Sequence, residues 1–490
     1  MSLANTVVKG AAWTVAIGMA ARALGLVGTL VVTRYLAPDV MGDVEVAAVL
    51  VLTAHQFSVL GLGHYLVAKP NEGPEVGFHT TVFTLLTGSA SIGLLLIFGS
   101  WFVGDSRTAL PYLPGLALAV FIDRLAFVPT RVLVRDMRFR TGGIVRALGE
   151  VVFAAVAVGM AVAGQGGESI VVANLARSAV RAGICIAIVD YRDWLKPHPL
   201  TMARTRDMFR FGFPVGLSVM ATFAARYWDN LLIAGMFGTQ ELGFYKLAYN
   251  LSDVPSNQVG EQIGDVLLPS FARLPPDRRQ AALARSLRLL ALIMFPLSIG
   301  LGVIAPTVVR ALLAPQWEPV APRLAILACL SAVFPIGYAV YAYLNAANHP
   351  RAVMALAFFR TVILLGSMGV LGSAGGPLGA CFGVGIAFGL YALVSVVLTS
   401  RLEGWSPAGP LLALLPPLFA CVPMAAVVLG VRALLPAETP TVVALIVELI
   451  AGAGGYIGAA LVMAKSVSRE LIDLVRGALA HRRRRADTPA

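Results

Sequence analysis

Charged side chains make up only 13% of the 490 residues, and they are not spread evenly along the chain. They sit in short loops between apolar blocks, while 58% of the residues are hydrophobic and the mean hydropathy is +0.80. Blocks of about twenty apolar residues match the thickness of a bilayer core, whereas a soluble core of this size has no need of them. The chain therefore reads as all-α, a polytopic membrane protein. Also missing are a G-x-x-x-x-G-K-[ST] phosphate loop, an H-E-x-x-H helix, a Cys/His cluster with metal-ligand spacing and a G-x-S-x-G elbow. Their absence removes nucleotide hydrolysis by a phosphate loop and calls for no metal, cofactor or catalytic residue. The four cysteines, Cys185, Cys329, Cys381 and Cys421, all fall inside apolar blocks and read as small buried side chains.

What is present is a strong asymmetry of positive charge. The formal net charge is +12, which in a soluble protein would raise the question of nucleic acid. Here the basic residues concentrate in alternate loops, as membrane topology requires, and no nucleic-acid partner is expected. Spans are predicted at 11–33, 41–65, 79–103, 110–132, 143–163, 168–190, 211–237, 242–268, 283–305, 323–346, 352–372, 376–400, 408–430 and 441–464, about 14 transmembrane helices by usual span length. With the N-terminus inside, Arg131, Arg135, Arg138, Arg140, Arg192, Lys196, Arg204, Arg206, Arg210, Arg273, Arg278, Arg279, Arg285, Arg288 and the Arg482–Arg485 run are cytoplasmic. The opposite side keeps only Arg34, Arg107, Arg310, Arg323 and Arg432. This bias predicts both termini in the cytoplasm. The stretches Pro275–Arg288 and Lys465–Arg485 are amphipathic and basic, and are expected to lie on the surface of anionic membrane lipids.

Charges inside the spans are the functional signal. Each costs at least ~2.5 kcal/mol at the centre of a lone helix, so each should face protein or a water-filled cavity. The stretch Phe209–Pro275 reads as two spans joined by a turn at Gly238-Thr239-Gln240, yet it carries Arg226, Asp229, Lys246, Asp253, Glu261 and Asp265. Arg22 lies near the middle of the first span and Asp123-Arg124 in the fourth. Asn174, Arg177 and Arg181 make a cationic stripe on the sixth, at i, i+3 and i+7. Arg146 and Glu150 at i, i+4 predict an ion pair, although Glu150 and Asp123 could equally hold the stripe. Arg22, Arg124, Arg181, Arg226, Asp229 and Asp253 fall at similar depth, as substrate sites near a midplane do. His55 and His64 are expected to pack rather than to ligate. The spans from 283 to 400 carry little charge except Arg360, and Glu448 is the exception in the last two, which promise no obvious chemistry.

The basic, Pro-containing stretch 191–210 is read as a cytoplasmic linker between 1–190, an N-terminal six-helix lobe, and 211–402, a C-terminal one. Residues 403–465 add two transmembrane helices, and 466–490 form a basic cytoplasmic tail. Across the linker, YLAPDVMGDVEVAAVL (Tyr35–Leu50) can be laid on MFGTQELGFYKLAYNL (Met236–Leu251), with Gly42 on Gly243 and Leu50 on Leu251. The offset equals six helices, so a parallel repeat is expected.

The opening Gly10-x-x-Trp13, the helix of Arg22 and the turn Arg34–Gly42 (RYLAPDVMG) resemble bacterial polysaccharide exporters of the oligosaccharide-flippase type. So do FGFP at Phe211–Pro214, WDNLLIAGMFG at Trp228–Gly238, LGFY at Leu242–Tyr245 and VLLPSFAR at Val266–Arg273. That family sits in the multidrug/oligosaccharidyl-lipid/polysaccharide exporter superfamily. The resemblance runs to about Leu402. It implies two six-helix lobes in a V around a central cavity, and a non-enzymatic carrier in the bacterial cytoplasmic (inner) membrane. Alternating access would then turn an undecaprenyl-diphosphate-linked oligosaccharide from the inner to the outer leaflet, with other polysaccharide-assembly proteins as partners. Arginine binds phosphate by planar, bidentate hydrogen bonds, so Arg22, Arg124, Arg177, Arg181 and Arg226 are the expected diphosphate set. Asp229, Lys246 and Asp253 are candidates for coupling an ion or for bracing the cavity. A drug/cation antiporter of the same superfamily would show an acid-dominated cavity and about twelve helices. A membrane glycosyltransferase or polymerase would need a larger outer loop than any predicted here.

Overall fold

The computed structural model describes residues 25, 28–59, 61–68, 73–102, 106–255, 262–436, 438–465 and 467–470, and among them there is no strand. Arg22, Glu261, most of the span expected at 11–33 and the Arg482–Arg485 run lie outside the described residues. The chain divides into two compact units, residues 1–246 and 247–490.

The first unit contains α1 (Pro38–Val59), α2 (Leu62–Ala68), α3 (Pro74–Phe102), α4 (Leu113–Leu125), α5 (Phe127–Arg135), α6 (Phe139–Val162), α7 (Glu168–Ile188), α8 (Met202–Phe237) and the start of α9 (Thr239–Pro255). Helix α7 packs on α4 and α6, and α1 on α3 and α8. One apolar core joins Leu62, Tyr65, Val132, Cys185, Trp194 and Met208. The second unit holds the rest of α9, then α10 (Gln262–Arg273), α11 (Pro276–Leu312), α12 (Val320–Ser331), α13 (Phe334–Ala346), α14 (Pro350–Glu403), α15 (Ala408–Leu412), α16 (Leu415–Leu434) and α17 (Thr441–Met463). Its core gathers Phe271, Leu287, Phe295, Tyr343, Val396 and Met424.

Ten helices among the described residues are long and apolar enough to cross a membrane, against about fourteen spans expected from hydropathy. The difference has local causes. The expected spans 110–132 and 242–268 are each divided between two shorter helices, α4 and α5, and α9 and α10. The 54 residues of α14 are two antiparallel crossings; straight, they would run roughly 80 Å. The chain leaves helical geometry at Gly375 and Gly376, and beyond the turn Ser367 donates back to the Gly383 carbonyl at 2.8 Å. The span expected at 41–65 is broken at Gly61, whose φ of +69° suits glycine and whose Cβ, if present, would lie 2.3 Å from the Gly212 carbonyl oxygen of α8.

Two surface segments are more ordered than their polarity implied. The stretch 191–210 is helical from Met202 onward, with no Gly or Pro before Arg210 to stop it. Its first part docks on α3, where Thr81 donates to the Trp194 carbonyl and His79 Nε2 accepts from the Thr201 amide. Likewise Pro275–Arg288 is no separate surface helix; from Pro276 it is the opening of α11.

The segments matched by the internal repeat touch each other. A Cβ on Gly42 would lie 1.8 Å from the Thr239 carbonyl oxygen, and a Cβ on Gly243 2.0 Å from that of Pro38. Glycine at both places lets α1 and α9 cross backbone to backbone. Gly42→Ala and Gly243→Ala should each cost about 1–3 kcal/mol by forcing the backbones apart. The measurement is the thermal unfolding midpoint in detergent, with Gly454→Ala, which has open space around its Cβ position, as the unaffected control.

Candidate functional site

Beside that crossing, α1, α8 and α9 enclose a charged cluster in the first unit. Lys246 Nζ lies 2.7 Å from Glu45 Oε1, and Asn230 Nδ2 donates to the same oxygen at 2.8 Å. The Tyr227 ring sits 5.6 Å from the ammonium, close enough for a cation–π contact. At the residues next in sequence, the Tyr245 hydroxyl donates to Asp229 Oδ2 at 2.7 Å. Asp229 is 1% exposed, and its Oδ1 has no hydrogen-bond partner among the described residues. Asp253, half-buried near the end of α9, belongs to the second unit.

The predicted arginines divide into three environments. Arg177 and Arg181 are brought together on α7, both half-buried and both lying along Gly149 of α6. A Cβ at Gly149 would be 2.7 Å from Arg181 Cδ and 3.3 Å from Arg177 Cγ. Arg177 donates to Asn174, sits 4.9 Å over the Phe153 ring and has Glu150 at 3.7 Å. Glu150 thus meets the stripe, the second of the two pairings open from sequence. Arg124 goes elsewhere: it is 1% exposed and donates to Ser58 and to the His55 carbonyl of α1. Its neighbour Asp123 turns toward α7, accepting from Ser178 at 2.9 Å, as adjacent residues on a helix must diverge. Arg226 lies exposed on α8, one turn before the buried Asp229.

Sequence reading missed Glu45, Asn230, Tyr227 and Tyr245. Glu45 did carry a signal, because laying Gly42 on Gly243 also lays Glu45 on Lys246. The last two helices were misjudged as well. Glu448, 1% exposed, takes two hydrogen bonds from Arg432, at 2.8 and 2.9 Å, and one from Thr307 at 3.0 Å. Arg432 also donates to the Val303 carbonyl, so the pair pins α16 and α17 to α11. The cysteines are free, with Cys185, Cys381 and Cys421 buried and Cys329 partly so.

Since Glu45 and Lys246 are mostly enclosed, removing one partner strands the other. Glu45→Met or Lys246→Met should each cost about 3–5 kcal/mol, and the double variant distinctly less than their sum. A double-mutant cycle on unfolding midpoints in detergent reads the coupling.

A family model described as "Polysaccharide biosynthesis protein" matches residues 31–322. The succinoglycan biosynthesis transport protein ExoT of Rhizobium meliloti is 24% identical over 374 residues, 74% of each chain. The lipopolysaccharide biosynthesis protein WzxC of Escherichia coli is 21% identical over 408 residues, 81% of each. Among solved structures, lipid II flippase MurJ in an inward closed conformation has a TM-score of 0.75 at 13% identity, covering 93% of this chain and 99% of that one. An inward-facing MATE family multidrug resistance transporter has a TM-score of 0.64 at 15% identity, covering 78% and 94%. The fold is therefore that of the MurJ and MATE transporters. With its match spanning more than half of the chain, this multi-pass membrane protein belongs to the polysaccharide biosynthesis protein family.

Proposed function

We propose that the protein flips an undecaprenyl-diphosphate-linked oligosaccharide from the inner to the outer leaflet of the bacterial cytoplasmic membrane by alternating access, as a carrier and not a catalyst. The observation that carries this reading is the Arg177–Arg181 pair, two arginines packed along Gly149 within a membrane span, with Glu150 3.7 Å from Arg177 and the Asp123 carboxylate turned toward the same helix. A diphosphate is the ligand such a pair suits, because each guanidinium offers parallel donors to phosphate oxygens. The names of the relatives support the same class of cargo: one is a succinoglycan biosynthesis transport protein, another acts in lipopolysaccharide biosynthesis.

The other predicted residues take graded roles in this proposal. Arg226, exposed on α8, and Arg22 extend the cationic path. Arg124, enclosed by Ser58 and the α1 backbone, braces α1 against α4. Lys246 braces through Glu45. Asp229, with one carboxylate oxygen held by Tyr245 and the other open, is the proposed coupling group, and Asp253 the second candidate. The arginine bias of the loops supports a cytoplasmic position for both termini, where other polysaccharide-assembly proteins would meet them.

The test uses cells in which this chain is the sole exporter of a surface polysaccharide. A charge-assisted hydrogen bond contributes about 1.5–3 kcal/mol, so Arg177→Ala with Arg181→Ala should lower export at least tenfold at equal protein level. The Arg→Lys pair, which keeps charge but loses the planar fork, should fall between. Undiminished surface polysaccharide in the Ala pair overturns the assignment.

A further inference from the structure

The second unit contains a buried-side cation that neither the diphosphate assignment nor any ion pair absorbs. Arg360 lies eleven residues into α14, about 15 Å along the helix. That places the charge well inside the span expected at 352–372, where it should face protein or a water-filled cavity. Among the described residues it has no carboxylate partner, and its Nε is buried without a hydrogen bond. Instead its guanidinium lies between two rings, 6.0 Å from the centroid of Phe334 and 5.8 Å from that of Tyr391. The turn at Gly375 and Gly376 is what brings Arg360 and Tyr391 level, since the two residues stand equally far from it along the chain.

The neighbouring face of α13 is chemically unlike a lipid-facing surface. Phe334, Tyr338, Tyr341 and Asn345 recur at i, i+4, i+7 and i+11, all half-buried or exposed, whereas Ile336, Ala339, Val340 and Tyr343 on the other side are buried in the core. Tyr341 is 54% exposed. The outward faces of α16 and α17 in the same unit provide the comparison: Leu418, Val422, Leu429, Ile446 and Ile450 are what this chain shows to lipid. Arg360 lies against Phe334 at one end of this face, with Tyr341 and Asn345 two and three turns further along it, an arrangement suited to an extended ligand with both flat apolar surfaces and oxygen-rich edges. Sugar rings have that character. Their C–H faces pack on aromatic rings, their hydroxyls exchange hydrogen bonds with tyrosine and amide groups, and a carboxylate on the ring takes both forks of an arginine.

We propose that Arg360, with Tyr341, Asn345 and Tyr391, forms a saccharide subsite that recognises an acidic sugar of the cargo. It rests on the flippase reading above and adds a preference for glycans bearing a carboxylate. The test uses the full chain in lipid nanodiscs and three probes: undecaprenyl diphosphate alone, the same lipid carrying a neutral disaccharide, and the same lipid carrying a glucuronate-containing disaccharide. Arg360→Gln should weaken binding of the glucuronate probe at least tenfold and leave undecaprenyl diphosphate unchanged. Tyr341→Ala, at a position exposed enough to spare the fold, should weaken both sugar-bearing probes and not the bare lipid. Arg177→Ala with Arg181→Ala should weaken all three. Equal loss of all three probes in Arg360→Gln would mean that the anion bound there is the diphosphate and would overturn the sugar subsite alone. Unchanged binding in both Arg360→Gln and Tyr341→Ala would overturn it too. If the unaltered protein binds none of the three, the flippase reading falls and the subsite with it.

Discussion

The close approach of α1 and α9 at Gly42 and Gly243 governs what the polar interior of the first unit can be. Each glycine receives a carbonyl from the other helix, Thr239 on Gly42 and Pro38 on Gly243. That reciprocity is what a local two-fold axis requires of matched segments. One turn further along, the same offset joins Glu45 to Lys246. Residues equivalent under such an axis meet their own counterparts near it, and two like charges there would repel. With an acid at one of the matched positions and a base at the other, the two side chains meet as a 2.7 Å ion pair instead. Only with the backbones in contact do these side chains reach each other, so the glycines and the ion pair form one device.

Charge compensation separates the structural charges from those left for a ligand. Glu448 is fully enclosed and has three donors; Glu45 has an ammonium and an amide. These sites are satisfied and need nothing further. Arg177 has Glu150 no closer than 3.7 Å, and Arg360 has rings in place of a carboxylate. A cation within a span is tolerable at a cost of about 2.5–3.5 kcal/mol, and keeping it incompletely compensated makes sense where an anion is to arrive.

Hydropathy made the class and the approximate position of most helices legible, because bilayer thickness dictates block length. Breaks inside a block were not. The interruption at Gly61 depends on α8 passing over it, and that at Ala126 is marked only by Pro129, which cannot bond the carbonyl of residue 125 and went unread as a break. Helix continuation into polar sequence, at Met202 and Pro276, was missed because hydropathy reports the membrane boundary, not the end of the hydrogen-bonded helix. The stripe Asn174–Arg177–Arg181 was readable since all its members share one helix. Glu45 was not singled out because its meaning comes from a partner some two hundred residues away. Glu448 looked like an exception in a lipid-type helix because its partner Arg432, on the preceding helix, was read only as a loop charge.

The pairing of Arg432 with Glu448 bears on how the chain enters the membrane. They lie on consecutive helices joined by a short turn, and each alone would burden its own segment with an uncompensated charge. During synthesis Arg432 leaves the ribosome before its acid. The last two helices should therefore partition into lipid together, as a hairpin, with the first waiting in a protein-lined channel for the second to emerge.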